Sequence, residues 1–127
     1  MSRRWILLLV FAAVALAQQA PQEQAPPEED ESLVPKEYSF NPLQAAKELK
    51  VGNYYFKKGN YRAAAHRFEE ATKWDGTLAE AYLRLGEARE KQNDRKAAAE
   101  AYAKYLEIAP DSKDAPDVKK RLAKNRK

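Results

Sequence analysis

Two stretches of this chain superimpose at an offset of 34 residues. Val51 falls on Leu85, Gly52 on Gly86, Ala64 on Ala98 and Phe68 on Tyr102, and the turn residue Gly59 falls on Asn93. A fixed period of this order constrains a fold more than any single motif. Each repeat is one supersecondary unit that cannot bury its apolar face alone, so it must stack on its neighbour. Stacked repeats expose grooves to other molecules. The period therefore points to a binding module and away from chemistry.

Every element expected inside the repeats is a helix. Asn41-Pro42 supplies a cap and a first-turn proline for a helix over 42–58. Lys57-Lys58-Gly59 ends it, the lysines facing the negative helix end and the glycine suiting a left-handed turn. Asn60 caps a second helix over 61–74, which stops at Asp75-Gly76. Thr77-Leu78-Ala79-Glu80 has the spacing of a capping box and opens a third helix reaching about Gln92. Asp94 caps a fourth over 95–108, halted before Pro110. Asp114-Ala115-Pro116-Asp117 starts a fifth over 115–125, with Val118 and Leu122 four apart on one side. No stretch alternates as a strand would.

The first 17 residues do not belong to that domain. Arg3 and Arg4 precede an apolar run from Trp5 to Ala17, in which Ala15-Leu16-Ala17 is a small-x-small pattern followed by Gln18-Gln19. This is the layout of a secretory signal peptide, with cleavage expected after Ala17. The alternative is an uncleaved anchor, for which thirteen apolar residues are short against the about 20 a bilayer requires. Residues 18–40 are rich in Pro, Gln and Glu, and carry six acidic residues against Lys36 alone. With almost no large apolar side chains they cannot offset ordering entropy, so an extended, disordered linker is expected.

From Asn41 onward there are 20 Lys and Arg against 13 Asp and Glu, a net of +7. A basic domain behind an acidic tail suits nucleic acid, but an export signal argues against that partner. The chain has no cysteine, hence no disulfide, no thiolate zinc site and no lipid-bearing cysteine after the leader. No cofactor loop occurs, and His66, the lone histidine, has no companion for a metal site. Catalysis finds no constellation: Ser39 and Ser112 border helices, and the carboxylates are expected at exposed positions beside lysines. The chain is expected not to be an enzyme.

The repeated residues resemble the tetratricopeptide repeat, a helix–turn–helix unit of 34 residues. The first unit, about 45–78, carries Val51-Gly52-Asn53-Tyr54-Tyr55, Gly59-Asn60-Tyr61, Ala64, Phe68 and Ala71. The second, about 79–112, carries Tyr82, Leu85-Gly86, Ala98, Tyr102 and Pro110. The resemblance implies an all-α fold, an α-solenoid of two units with the fifth helix, about 115–125, capping its open end. Four positions depart from the pattern. Glu48 stands where an aromatic is usual, Gly76 replaces the terminal proline, Arg89 stands opposite Tyr55, and Tyr105 opposite Ala71. Arrays usually need about three units for a continuous core, so a homodimer is an open alternative.

In this family the first helices of successive units line a concave groove. The resemblance places Ala46, Leu49, Asn53, Phe56 and Lys57 there from unit one, and Glu80, Leu83, Glu87, Glu90 and Lys91 from unit two. Steps of three and four independently put each set on one helical face. Leu49, Phe56 and Leu83 are the expected apolar anchors. Asn53 suits an extended backbone, because its amide both donates and accepts, and Glu87 and Glu90 favour a basic ligand group. The carboxylate clamp of some members is not supported: Asn53 matches one clamp position, but Leu49 stands where a lysine is needed and Arg84 where the second unit would have asparagine. Trp74 is expected to pack between units. The cluster Lys119, Lys120, Arg121, Lys124, Arg126 and Lys127 is either a solvated face or a surface for an anionic partner.

The expected function is that of an exported bacterial adaptor or scaffold in the periplasm or cell envelope. A protein or peptide would lie in the groove, and membrane association would come only through an uncleaved leader or a partner. The alternative is a structural part of an envelope assembly, similar to the helical-repeat lipoproteins of β-barrel assembly but lacking their lipid-bearing cysteine.

Overall fold

The computed structural model describes residues 36–127. The expected leader, its cleavage after Ala17 and the linker up to residue 35 lie outside the described residues. Five helices follow in order: α1 (Pro42–Lys57), α2 (Tyr61–Trp74), α3 (Ala79–Lys91), α4 (Arg95–Ile108) and α5 (Ala115–Asn125). No strand occurs among the described residues, and consecutive helices pack on one another, with α1 also touching α3. The architecture is an all-α helical repeat.

Local chemistry sets the boundaries. Asn41 Oδ1 accepts the Gln44 amide at 3.0 Å, Asn60 Oδ1 that of Ala63 at 3.1 Å and Asp94 Oδ1 that of Ala97 at 3.2 Å. Each satisfies a helix-start donor that would otherwise lack a partner. The turns inside the two units match through the backbone: Gly59 has φ +77° and Asn93 φ +59°. Asparagine is among the few side-chain-bearing residues that enter the left-handed region readily.

The expected capping box at Thr77 does not form. Leu78 is the N-cap of α3 and makes no side-chain cap bond. The Thr77 hydroxyl and amide instead both donate to Asp75 Oδ1, at 2.7 and 2.9 Å. A carboxylate is a stronger acceptor than the backbone, and it draws Thr77 into the preceding turn.

Two glycines set the packing distance within each unit. A Cβ on Gly52 would lie 2.5 Å from Phe68 Cε1, and one on Gly86 would overlap Tyr102 in the same way. The aromatic ring of the second helix therefore takes the space that a side chain at the glycine of the first would need. Around these contacts the core divides in two. Ala64, Ala65, Phe68 and Ala88 form one cluster; Ala98, Tyr102, Tyr105 and Val118 form the other, with Leu122 packed against it. Val118 is fully buried, so α5 covers α4 as expected. Tyr105, at the place of Ala71, reaches this second cluster and bonds Ser112 Oγ through its hydroxyl at 2.6 Å.

Not all carboxylates are exposed, contrary to the sequence expectation: Glu48, Glu70 and Asp75 are buried. Glu48, at the usual aromatic position, accepts from Arg67 Nη1 at 3.2 Å and Gln44 Nε2 at 2.9 Å, so an ion pair takes the place of a ring. Glu70 accepts the Tyr38 hydroxyl at 2.8 Å and stands 3.5 Å from Lys36 Nζ. These contacts lay residues 36–41 as a strap across the end of α2. Its other tie is the Asn41 amide, which donates to Trp74 O at 2.9 Å. Trp74 meets Tyr38 edge to face at 4.9 Å, so its ring partner is the strap rather than the neighbouring unit.

Candidate protein-binding groove

α1 touches α3, and the side chains between them are those expected to line the groove. At its centre is Arg84. Its Nε donates to Asn53 Oδ1 at 2.9 Å and its Nη1 to Glu87 Oε2 at 3.1 Å. Its guanidinium carbon lies 4.6 Å from the Phe56 ring centroid and 5.8 Å from that of Phe68. A planar guanidinium can bond at its edge and stack on its face together. Arg84 thus joins both helices in one network.

This network changes the roles expected for the groove residues. A guanidinium only donates, so the Asn53 amide is oriented with its oxygen on Arg84 and its two N–H donors left for other acceptors. Phe56 is half-buried, meeting Tyr61 edge to face at 5.1 Å. Leu49 packs with Phe56 on the first core cluster, and Leu83 packs on the second. These apolar side chains mainly support the floor. Lys57 and Lys91 are exposed, as are Ala46 and Glu80. Lys91 Nζ lies 5.9 Å from the Tyr61 ring centroid.

The acidic pair is held by two elements. Burial pushes the Glu87 carboxyl above its usual value, while Arg84 and Arg121 pull it down. Glu90 accepts from Asn125 Nδ2 at 2.9 Å and lies 3.8 Å from Arg121 Nη1, which ties α3 to α5. Arg121 also donates to the Tyr102 hydroxyl at 3.3 Å. Burial holds that phenol above its usual range, and the bond to Tyr102 strengthens the hold of Arg121 on its proton. α5 therefore supplies charge to the groove as well as covering α4.

Sequence reasoning met Arg84 on this face only as a mismatch to the carboxylate clamp, and Arg121 only as part of the C-terminal basic cluster. Helical arithmetic held a signal for the first. Arg84 stands three residues before Glu87 and 31 after Asn53, one repeat less about one turn. Chemically, the arrangement is a charged, internally bonded surface suited to contact. No group of three or more His, Asp or Glu among the described residues converges as a metal set.

A family model described as tetratricopeptide repeat matches residues 49–113, just over half of the chain. No curated protein matches it.

Proposed function

The chain belongs to the tetratricopeptide repeat family, whose repeats mediate contacts between proteins, and from that premise we propose that it is an adaptor or scaffold in the cell envelope. A peptide or helix of another protein lies along α1 and α3. The observation that carries this reading is the Arg84 network: Asn53, Phe56 and Glu87 are held before a ligand arrives, which lowers the entropy lost on binding. The two N–H donors of Asn53 face carbonyl groups of the ligand, and Lys57 and Lys91 flank it with exposed positive charge. The envelope location rests on the leader pattern of residues 1–17.

The test is a cross-linked pull-down from envelope fractions with the parent and a Lys57→Glu, Lys91→Glu variant. Both positions are exposed, whereas Leu49 and Leu83 pack on the core, so this variant leaves folding intact. Specific partners should appear with the parent and fade with the variant while both give the same circular dichroism. Recovery of the same proteins by both would sink the groove reading. Intact-mass analysis of the isolated protein tests cleavage after Ala17, and light scattering on the same sample tests the homodimer alternative.

A further inference from the structure

A second surface lies away from the groove. Between the N-terminal half of α4 and the end of α5 is a shallow cleft of about 530 Å³. Its floor is Ala99 and Ala103, and its rim carries Arg95, Lys96, Arg126 and Lys127 against one acid, Glu100. All four rim cations are exposed, and none forms an ion pair with a described residue. Arg95 also donates to Lys124 O, which closes one end of the cleft.

The repeat shows what kind of object fits there. Subtracting 34 places Ala99 and Ala103 on Ala65 and Glu69 of α2. Ala65 is fully buried in the first core cluster beside Ala88 of α3. Glu69 bonds Arg89 of α3 and shares a cleft with Ala97, Ala101 and Lys104 of α4. On α2, then, Ala65 is covered by α3, and α4 comes beside Glu69 through Ala97 and Ala101. On α4, α5 stands at the place of α3 and Ala99 is buried, while Ala103 stays half-buried on the floor of the cleft, and among the described residues no helix takes the place beside it that α4 takes on α2. The outward face of α1 differs. There exposed Lys47 and Lys50 stand 34 residues before Ala81 and Arg84 of α3, and Leu43 on the same side is exposed too.

We propose that the α4–α5 cleft is a docking site for an amphipathic helix of a partner protein, one with a small-residue face flanked by acidic side chains. Alanines on the floor admit close helix approach, and rim cations without an ion pair to a described residue match carboxylates in charge, the arginines also in geometry. A lipid bilayer is a poorer occupant, because a flat surface does not reach a concave alanine floor. A second copy of the chain is poorer still, since it would bring another net-positive body.

The test uses the protein as isolated from cells expressing the full chain. The probe is a labelled 16-residue helical peptide with an alanine face flanked by glutamates; the control peptide carries lysines in their place. Fluorescence anisotropy should show the glutamate peptide binding and the control not binding. Arg126→Glu, Lys127→Glu should weaken binding about tenfold or more through lost charge complementarity. Ala103→Trp should weaken it similarly by filling the floor, and Lys57→Glu, Lys91→Glu should leave it unchanged. Circular dichroism confirms each fold. Equal binding of both peptides, or full binding by both cleft variants, overturns the proposal. So does binding that appears only after Glu28, Glu29, Asp30 and Glu31 are changed to Gln, which would make the chain's own acidic segment the occupant. Rim-dependent binding to anionic phosphatidylglycerol vesicles with none to the peptide also overturns it.

Discussion

Gly52 and Gly86 each occupy a place where an aromatic ring leaves no room for a side chain. Adding one methyl group at either should force Phe68 or Tyr102 off its packing, at a cost of about 1–3 kcal/mol by overpacking. Thermal melting of Gly52→Ala and Gly86→Ala checks this. Gly76→Ala is the control, since its nearest neighbour is 3.8 Å away and the change should be neutral or slightly stabilising. The glycines were legible from the period, because a glycine recurring inside two helices marks a place where another element comes too close for a side chain. Arg84 was not legible in the same way. Its role depends on three partners on two helices, and their meeting is a fact of packing angle rather than spacing. Glu87 beside it gives a prediction in pH. Its carboxyl is raised above the usual value by burial, so the neutral form is the one the fold favours. The stability it contributes is full below about pH 4 and is lost as pH rises through the raised value. Glu87→Gln should therefore melt at the same temperature or higher at pH 7, and the difference from the parent should close near about pH 4. A variant that melts lower at pH 7 would mean that the pairing with Arg84 outweighs burial.

At the scale of elements, helix limits followed from caps and turns wherever the capping residue had no stronger competitor. Asn41, Asn60 and Asp94 cap as their positions imply. Thr77 does not, because Asp75 lies two residues before it and takes both of its donors. The strap over residues 36–41 was harder to read. A tyrosine in a polar stretch gives no sign that a buried glutamate 32 residues away will accept its hydroxyl. That bond makes a prediction about the whole strap. Tyr38→Phe keeps the ring against Trp74 but leaves the buried Glu70 carboxylate short of a donor, with Lys36 and Lys73 as remaining neighbours. The expected loss is about 1–3 kcal/mol, with faster amide hydrogen exchange at Asn41, whose N–H bonds Trp74. Unchanged melting and unchanged exchange would show that the strap rests on ring contact alone.

The whole molecule has two core clusters, and contacts run almost entirely between sequence neighbours. In such an array stability is close to a sum of repeat terms and nearest-neighbour interfaces. Damage at one end should then stay near that end unless the interfaces couple the units strongly. Val118 is the most direct probe. It is fully buried in the second cluster with Tyr102 and Tyr105, and it belongs to α5 rather than to either repeat. Val118→Ala removes two buried methyl-sized groups, which should cost about 1–3 kcal/mol through transfer and cavity terms. Two links oppose local fraying: Glu90 of α3 holds Asn125 and Arg121, and Phe68 lies within reach of Arg84. The first ties α5 to the groove; the second ties the first cluster to the second unit. Hydrogen exchange by segment separates the cases. Loss of protection in α4 and α5, with α1 and α2 holding theirs, is expected if the two clusters behave as neighbours with a finite interface. An equal loss from α1 to α5 would show instead that the charged floor of the groove welds the array into one cooperative unit. Arg84 and Arg121 would then be what holds so few repeats together.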